Sequence, residues 1–325
     1  MNDDIVGNQL RQLRLLEDRL DQPEARREVR AALGNASNQV VKRAAELIVD
    51  ANDRDAIESL VKAYWRLKRN PLKKDPGCLG KTAVIKALAH LEFADIDLFR
   101  DGIAFEQIEP LYGGEVDAAA ELRGLCAIGL THFAPTAEVL NRCAVLLVDP
   151  WPAARYGAVQ AIGVLGVLEG APLLRLKLLV GDDEADVMGE CCSSLLKIEK
   201  TDAYDFLQPF LLDGDADICV QTALAIGESQ LSGAFERLRT AWGRRPELAA
   251  RESILLCIGL LRSTESQSFL LSLIHPRDLR TASDAVKALR LHGATEDLRQ
   301  RVEEAVQQVD SEPLLRVFRE EWNGQ

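Results

Sequence analysis

The chain is expected to be all-α, a right-handed α-solenoid of about seven or eight helical pairs stacked as repeats. Three observations predict this. Aromatic residues are only 5% of the 325 residues while hydrophobic ones are 47%, which suits helices packed through Ala and Leu better than a β-sandwich. Strand-type alternation is hard to find anywhere in the chain. Finally, a helical face recurs at a regular interval: the anchors Lys42, Lys81, Arg123, Arg155, Met188, Cys219 and Arg251 lie 39, 42, 32, 33, 31 and 32 residues apart. Such a period with two helices per unit marks a solenoid.

The elements follow in order. An amphipathic N-terminal helix, with Leu10, Leu13, Leu16 and Leu20 on one stripe, is expected to cap the array over residues 1–21. Repeats fill residues 22–310, and the charged segment 311–325, from Ser311-Glu312-Pro313 through Trp322, caps the other end of a single domain spanning 1–325. Behind Lys81 the inward positions are Gly80, Ala83, Val84, Ala87, Leu88 and Leu91. Behind Arg123 they are Leu122, Leu125, Cys126, Gly129, Leu130 and Phe133, and behind Arg155 they are Ala154, Gly157, Ala158, Ala161, Ile162 and Leu165. Each set has the 3-4 spacing of one helix face. Each of these three bases also stands six residues after an Asp that ends an apolar run: Asp75, Asp117 and Asp149.

The stretch Asp149-Pro150-Trp151-Pro152-Ala153-Ala154-Arg155-Tyr156-Gly157-Ala158-Val159-Gln160-Ala161-Ile162-Gly163 resembles the HEAT-repeat family, especially its short-period bacterial HEAT-like members of the phycobilin-lyase type. Asp217 to Gly227 and Ala250 to Gly259 echo it, and the likeness covers roughly residues 22 to 310. The resemblance implies that Asp75, Lys81, Asp117, Arg123, Asp149 and Arg155 form a hydrogen-bonded ladder between repeats. An Asp at a helix start can cap orphan N–H groups while meeting a neighbouring cation. Beyond residue 181 the bases give way to Met188 and Cys219, and Arg245 stands where an Asp is expected, so apolar stacking must hold those repeats.

Charge narrows the partners. The net charge is −12, with 18 Lys/Arg against 16 Asp/Glu in residues 1–100 and 21 against 35 in the remainder. An acidic body repels phosphate backbones, which argues against nucleic acid. Seven Cys without a CxxC spacing read as small buried thiols in a reducing, cytoplasmic setting. The start MNDDIVGNQL lacks a signal-peptide pattern, and the most apolar stretch, Ala161 to Val180, is interrupted by Glu169, Pro172, Arg175 and Lys177, so no membrane association is expected.

Several chemical motifs dissolve on inspection. Gly80-Lys81-Thr82 has the close of a phosphate loop, but Asp75 occupies the place of its first glycine and a helical stretch precedes it, whereas backbone amides must wrap the phosphate after a strand. Val145-Leu146-Leu147-Val148-Asp149 is likewise read as the end of a helix. Asp213-Gly214-Asp215-Ala216-Asp217 lacks the Gly and Glu of a calcium loop, having Ile218 and Leu224 there. The four His precede Leu91, Phe133, Pro276 and Gly293, so the His-Glu pairs of iron-binding HEAT hydroxylases are missing. Cys191-Cys192 is assigned to packing, and Trp151 is expected to cover its turn. No catalytic, cofactor-binding or metal-binding residue is expected.

The leading expectation is a non-catalytic scaffold holding a protein or peptide on its concave face, through Lys86, Ile128, Tyr156, Gln160 and Leu224, positions beside the core stripe. A second candidate surface is the basic insertion Arg66-Leu67-Lys68-Arg69-Asn70-Pro71-Leu72-Lys73-Lys74, with Lys68, Arg69, Lys73 and Lys74 exposed to an acidic partner. The resemblance also admits a pigment-handling enzyme or chaperone of the phycobilin-lyase type, and helical repeats admit an alkyl-purine DNA glycosylase, which the acidic balance disfavours. The oligomeric state stays open.

Overall fold

The computed structural model describes residues 2–293 and 295–322. The chain is an all-α solenoid of paired helices with one short hairpin, and it divides into two compact units between Leu165 and Gly166.

The first unit holds α1 (Asn2–Leu16), α2 (Pro23–Ala32), α3 (Asn38–Asp50), α4 (Ile57–Lys68), the short α5 (Pro71–Lys74), α6 (Leu79–His90), α7 (Ile96–Ile103), α8 (Ala120–Leu130), α9 (Thr136–Leu146) and α10 (Pro152–Leu165). One row runs α3, α6, α8, α10, each touching the next, and α2, α4, α7 and α9 flank it one by one. The expected N-terminal cap is α1, which packs mainly on α3 and buries Leu13 and Leu16. Most of the 3-4 stripe is buried: Val84, Ala87, Leu88 and Leu91 of the α6 segment, and Ala154, Gly157, Ala158, Ala161 and Ile162 of α10. Ala83, Leu125, Phe133 and Leu165, also expected to point inward, are only half-buried. Gly124 and Gly157 bring α8 and α10 into backbone contact. A Cβ on Gly157 would lie 2.3 Å from Gly124 Cα, so no larger residue fits at that crossing.

The second unit holds α11 (Ala171–Val180), α12 (Ala185–Glu199), α13 (Ala203–Leu212), α14 (Ala216–Ser229), α15 (Ala234–Arg244), α16 (Leu248–Leu260), α17 (Thr264–Ser272), α18 (Leu279–His292), α19 (Glu296–Val309) and α20 (Glu312–Trp322). Here the row is α12, α14, α16, α18, closed by α20, which buries Leu314 and Phe318 as the C-terminal cap. Asp215, within the would-be calcium loop, instead caps α14 by accepting from the Ile218 N–H at 2.9 Å. Gly227 and Gly259 repeat the close approach, with Cβ positions 2.7 Å from Cys257 O and 2.3 Å from Ala288 O.

One element corrects the sequence reading, in which no strand was expected. Residues Ile108–Leu111 (β1) and Gly114–Asp117 (β2) pair antiparallel, with Ile108 opposite Asp117 and Leu111 opposite Gly114. Each strand is only four residues long, one contains Pro110, and Gly113 takes a φ of +88° in the turn. So short a run carries too little alternation to be seen, and the Gly113-Gly114 pair was its only sequence signal.

Candidate functional site

The stretch DPGCLGKT folds around one carboxylate. Asp75 is fully buried. It accepts from the Gly80 N–H at 2.7 Å, the Lys81 N–H at 2.9 Å, the Lys81 ammonium at 2.8 Å and the Asn38 amide at 3.0 Å. The aspartate thus satisfies free N–H groups in the first turn of α6 and neutralises Lys81 at once. Lys81 is itself 0% exposed, so its ammonium cannot meet a phosphate. The GKT triplet is part of an interior ion pair.

From there a polar spine crosses the first unit. Lys81 donates to Gln107 Oε1 at 2.8 Å, while Gln107 donates its amide to Asp75 O at 2.8 Å and its backbone N–H to Asp117 Oδ1 at 2.8 Å. Asp117 accepts from Arg123, which then forks onto Asp149 at 2.9 and 3.1 Å. Arg155 donates to the carbonyl of Asp149 at 2.9 Å. The six ladder residues expected from the sequence therefore lie along one connected path, but not as uniform rungs. Lys81 stops at Gln107 instead of meeting Asp117, because the hairpin insertion places a glutamine between the repeats.

Asn38 and Gln107 are the members that sequence reasoning missed. Asn38 stands 37 residues before Asp75, close to one repeat, so the period itself could have pointed to it. Gln107 lies in the insertion, where no period applies. Asp117 has its carboxyl held below the ordinary range. Desolvation opposes this, but the Gln107 N–H, Arg123 and the Ala119 N–H outweigh it.

With one side of α3 and α6 so occupied, their other sides form an open groove of about 420 Å³. Along α3 it presents Lys42, Glu46, Val49 and Asp50; along α6 it presents Leu79, Thr82, Ala83, Lys86 and His90; Ala118 and Glu121 close it. Both sets keep the i, i+4, i+7 spacing of a helix stripe. The floor is apolar (half-buried Val49 and Ala83), exposed Leu79 stands beside it, and the rim carries both signs of charge. Such a surface can hold an apolar side chain between ion-pairing partners.

The expected site residues are distributed as follows. Lys86 is exposed and lines the groove. Ile128 on α8, and Tyr156 and Gln160 on α10, are half-buried, and Leu224 of α14 is 36% exposed in the second unit; none of these four lines the groove. In the basic insertion Arg69 and Lys73 are exposed, whereas Lys68 and Lys74 are half-buried. Lys68 pairs with Asp101 and sits 5.3 Å from the Phe105 ring centre, and Lys74 reaches the Arg66 carbonyl at 3.4 Å. This corrects the expectation that all four are free surface charges: the long stems fold back onto a half-buried carboxylate and ring.

Among the described residues no group of three or more His, Cys, Asp or Glu is placed to hold a metal ion, and no helix is long and apolar enough to cross a membrane. No protein-family profile matches the chain, and no curated protein matches it. Solved structures do. The chain is similar to human deoxyhypusine hydroxylase in complex with glycerol, at 16% identity over 87% of this chain and 89% of that one, with a TM-score of 0.29. It is similar to the complex of CpcE and CpcF of phycocyanin lyase from Nostoc sp. PCC7120, at 18% identity, 82% and 94% coverage and a TM-score of 0.35. An engineered protein aligns at 13% identity over 90% and 81%, with a TM-score of 0.33. Likenesses of this size carry no argument about activity, and the function must be read from the surface.

Proposed function

We propose that this chain is a non-catalytic binding protein of the HEAT-like kind, which holds a polypeptide segment in the α3–α6 groove. The observation behind this reading is the division of labour across α6. Asp75, Lys81, Val84 and Leu88 fix the helix from one side, while half-buried Thr82 and Ala83 and exposed Lys86 and His90 line the groove on the other, with Lys42, Glu46 and Asp50. A surface held rigid from behind loses little side-chain freedom on binding. Its apolar floor and mixed rim match a peptide with one apolar anchor flanked by charges.

The test is selection of linear peptides from a random display library on the purified chain. Binders should compete with one another for one site. Ala83→Trp, which fills the floor, should weaken them at least tenfold, and Lys86→Glu should shift selection towards basic sequences. Both variants should keep the wild-type melting temperature. Binders indifferent to both changes, or a library that yields none, would overturn the reading.

A further inference from the structure

The hairpin β1–β2 is held firmly at its base and bare at its edge. Gln107 is 2% exposed and bonded to Lys81, Asp75 and Asp117. Both carboxylate oxygens of Glu109 accept from the Gly77 N–H, at 2.8 and 3.0 Å. Beyond this base the tip carries Leu111 at 63% exposure and Tyr112 fully exposed.

Register tells which backbone groups are free. Ala118 N–H donates to Gln107 O at 2.9 Å, so that pair is hydrogen-bonded. Bonded and non-bonded pairs alternate in an antiparallel ladder. The Glu109–Val116 and Leu111–Gly114 pairs are then the bonded ones, and the backbone groups of Ile108, Pro110, Glu115 and Asp117 point away from the partner strand. On β1 the outward donor is missing at Pro110, which interrupts that edge and leaves Ile108 as its one outward donor. On β2 the outward N–H and C=O belong to exposed Glu115. Proline interrupts the β1 edge, and β2 has no proline.

We infer that the β2 edge is a second binding surface, which takes up an extended, basic segment of another protein as a third strand. A two-stranded hairpin is marginal by itself, and a third strand completes it; an open edge is the usual template for such addition. Charge selects the occupant. Across a two-fold axis Glu115 would face the Glu115 of a second copy, and like charges directly opposite each other destabilise a sheet. A Lys or Arg on the incoming strand instead meets Glu115, with Glu106 also exposed nearby in sequence. Leu111 and Tyr112 offer the apolar contact beside it. The hairpin adjoins the α3–α6 groove at Ala118, but this surface uses the outward backbone of β2 and is tested independently of the groove.

The probes are two ten-residue peptides, one alternating Lys and Val and the other alternating Glu and Val, titrated into isotope-labelled chain. The Lys/Val peptide is expected to shift the Glu115 amide and to give cross-strand proton contacts to β2, with the Glu/Val peptide at least tenfold weaker. Glu115→Pro removes only an outward N–H, so it should abolish binding while the Glu109 and Val116 amides keep their positions. Glu115→Lys retains the backbone donor and should reverse the peptide preference, which covers the case in which proline disturbs the hairpin. Lys86→Glu should leave these titrations unchanged. The inference is overturned if neither peptide moves the Glu115 amide, if Glu115→Lys keeps the original preference, or if the free chain self-associates through this edge.

Discussion

The rows α3–α6–α8–α10 and α12–α14–α16–α18 stack helices of the same kind, yet different chemistry holds them. In the first unit the helix starts are joined by buried charge, from Asp75 and Lys81 through Asp117 and Arg123 to Asp149. In the second the corresponding anchors are Met188 and Cys219, and the interior is made of Cys191, Cys192, Thr222, Cys257 and closely packed glycines. There Arg245 reverses the polarity of the ladder, because it donates to the carbonyls of Leu212 and Gly214 at 3.0 and 2.7 Å in place of a carboxylate accepting N–H groups. One buried pair of this kind persists at the entry to α12, where Lys177 meets Asp182 at 2.7 Å, so the expectation of purely apolar stacking beyond residue 181 is corrected there. At the Met188 and Cys219 anchors the helices stack without a base. What buried pairs add is sensitivity, since removing one partner leaves the other desolvated.

The largest effect that would separate the units is Lys81→Met. It leaves Asp75 buried without its cation and should destabilise the first unit by about 3–5 kcal/mol. Hydrogen exchange should show α3 and α6 opening while α14 and α16 keep their protection. A loss below about 1 kcal/mol would mean that the two units are held alike after all. Next comes Gly259→Val, which forces a side chain against the Ala288 carbonyl and should cost about 1–3 kcal/mol or more by overpacking, confined to α16 and α18. Cys219→Ala, at the position matching Lys81, should cost only about 1 kcal/mol, and equal losses at the two anchors would erase the contrast.

Acid should then divide the units by sign. Asp117 has a depressed pKa in the folded chain, so its contribution is present above its unfolded value, about 3.9, and is lost as pH falls through the lower folded value. Asp284 in α18 is the opposite case: burial and then the nearby Glu252 carboxylate raise its pKa. Its ionised form therefore costs stability above that raised value, and protonation relieves the cost. Unit-resolved exchange on descending from neutral pH should show α18 gaining protection first and α8 losing it later. The smallest expected effect is that of Arg69→Glu with Lys73→Glu. Both residues are exposed, and the change should stay within about 0.5 kcal/mol.

Much of this contrast was legible in the sequence, for reasons that can be located. The 3-4 stripes behind Lys81, Arg123 and Arg155 are dictated by helix geometry, so the buried faces followed directly. The Asp and base six residues apart appear because cap and cation belong to the same turn. What escaped was set by insertion and by long reach. Gln107 enters the spine from a loop outside the period, the hairpin is too short to show alternation, and Lys68 turns inward to a carboxylate 33 residues away. Of the expected contact residues only Lys86 lines the groove, because the groove lies between two neighbouring helices and does not run along the whole row.

The thiols give the molecule a clock. All seven cysteines are free and buried, three in the first unit and four in the second. Burial pushes Cys78 up to about 11 and Cys143, Cys192 and Cys257 up to about 12. A thiol-alkylating reagent, which needs the thiolate and access to it, can therefore react only when a helix pair opens. The order in which Cys78, Cys126 and Cys143 are modified relative to Cys191, Cys192, Cys219 and Cys257 would record which repeats breathe first, with no label or probe introduced into the chain.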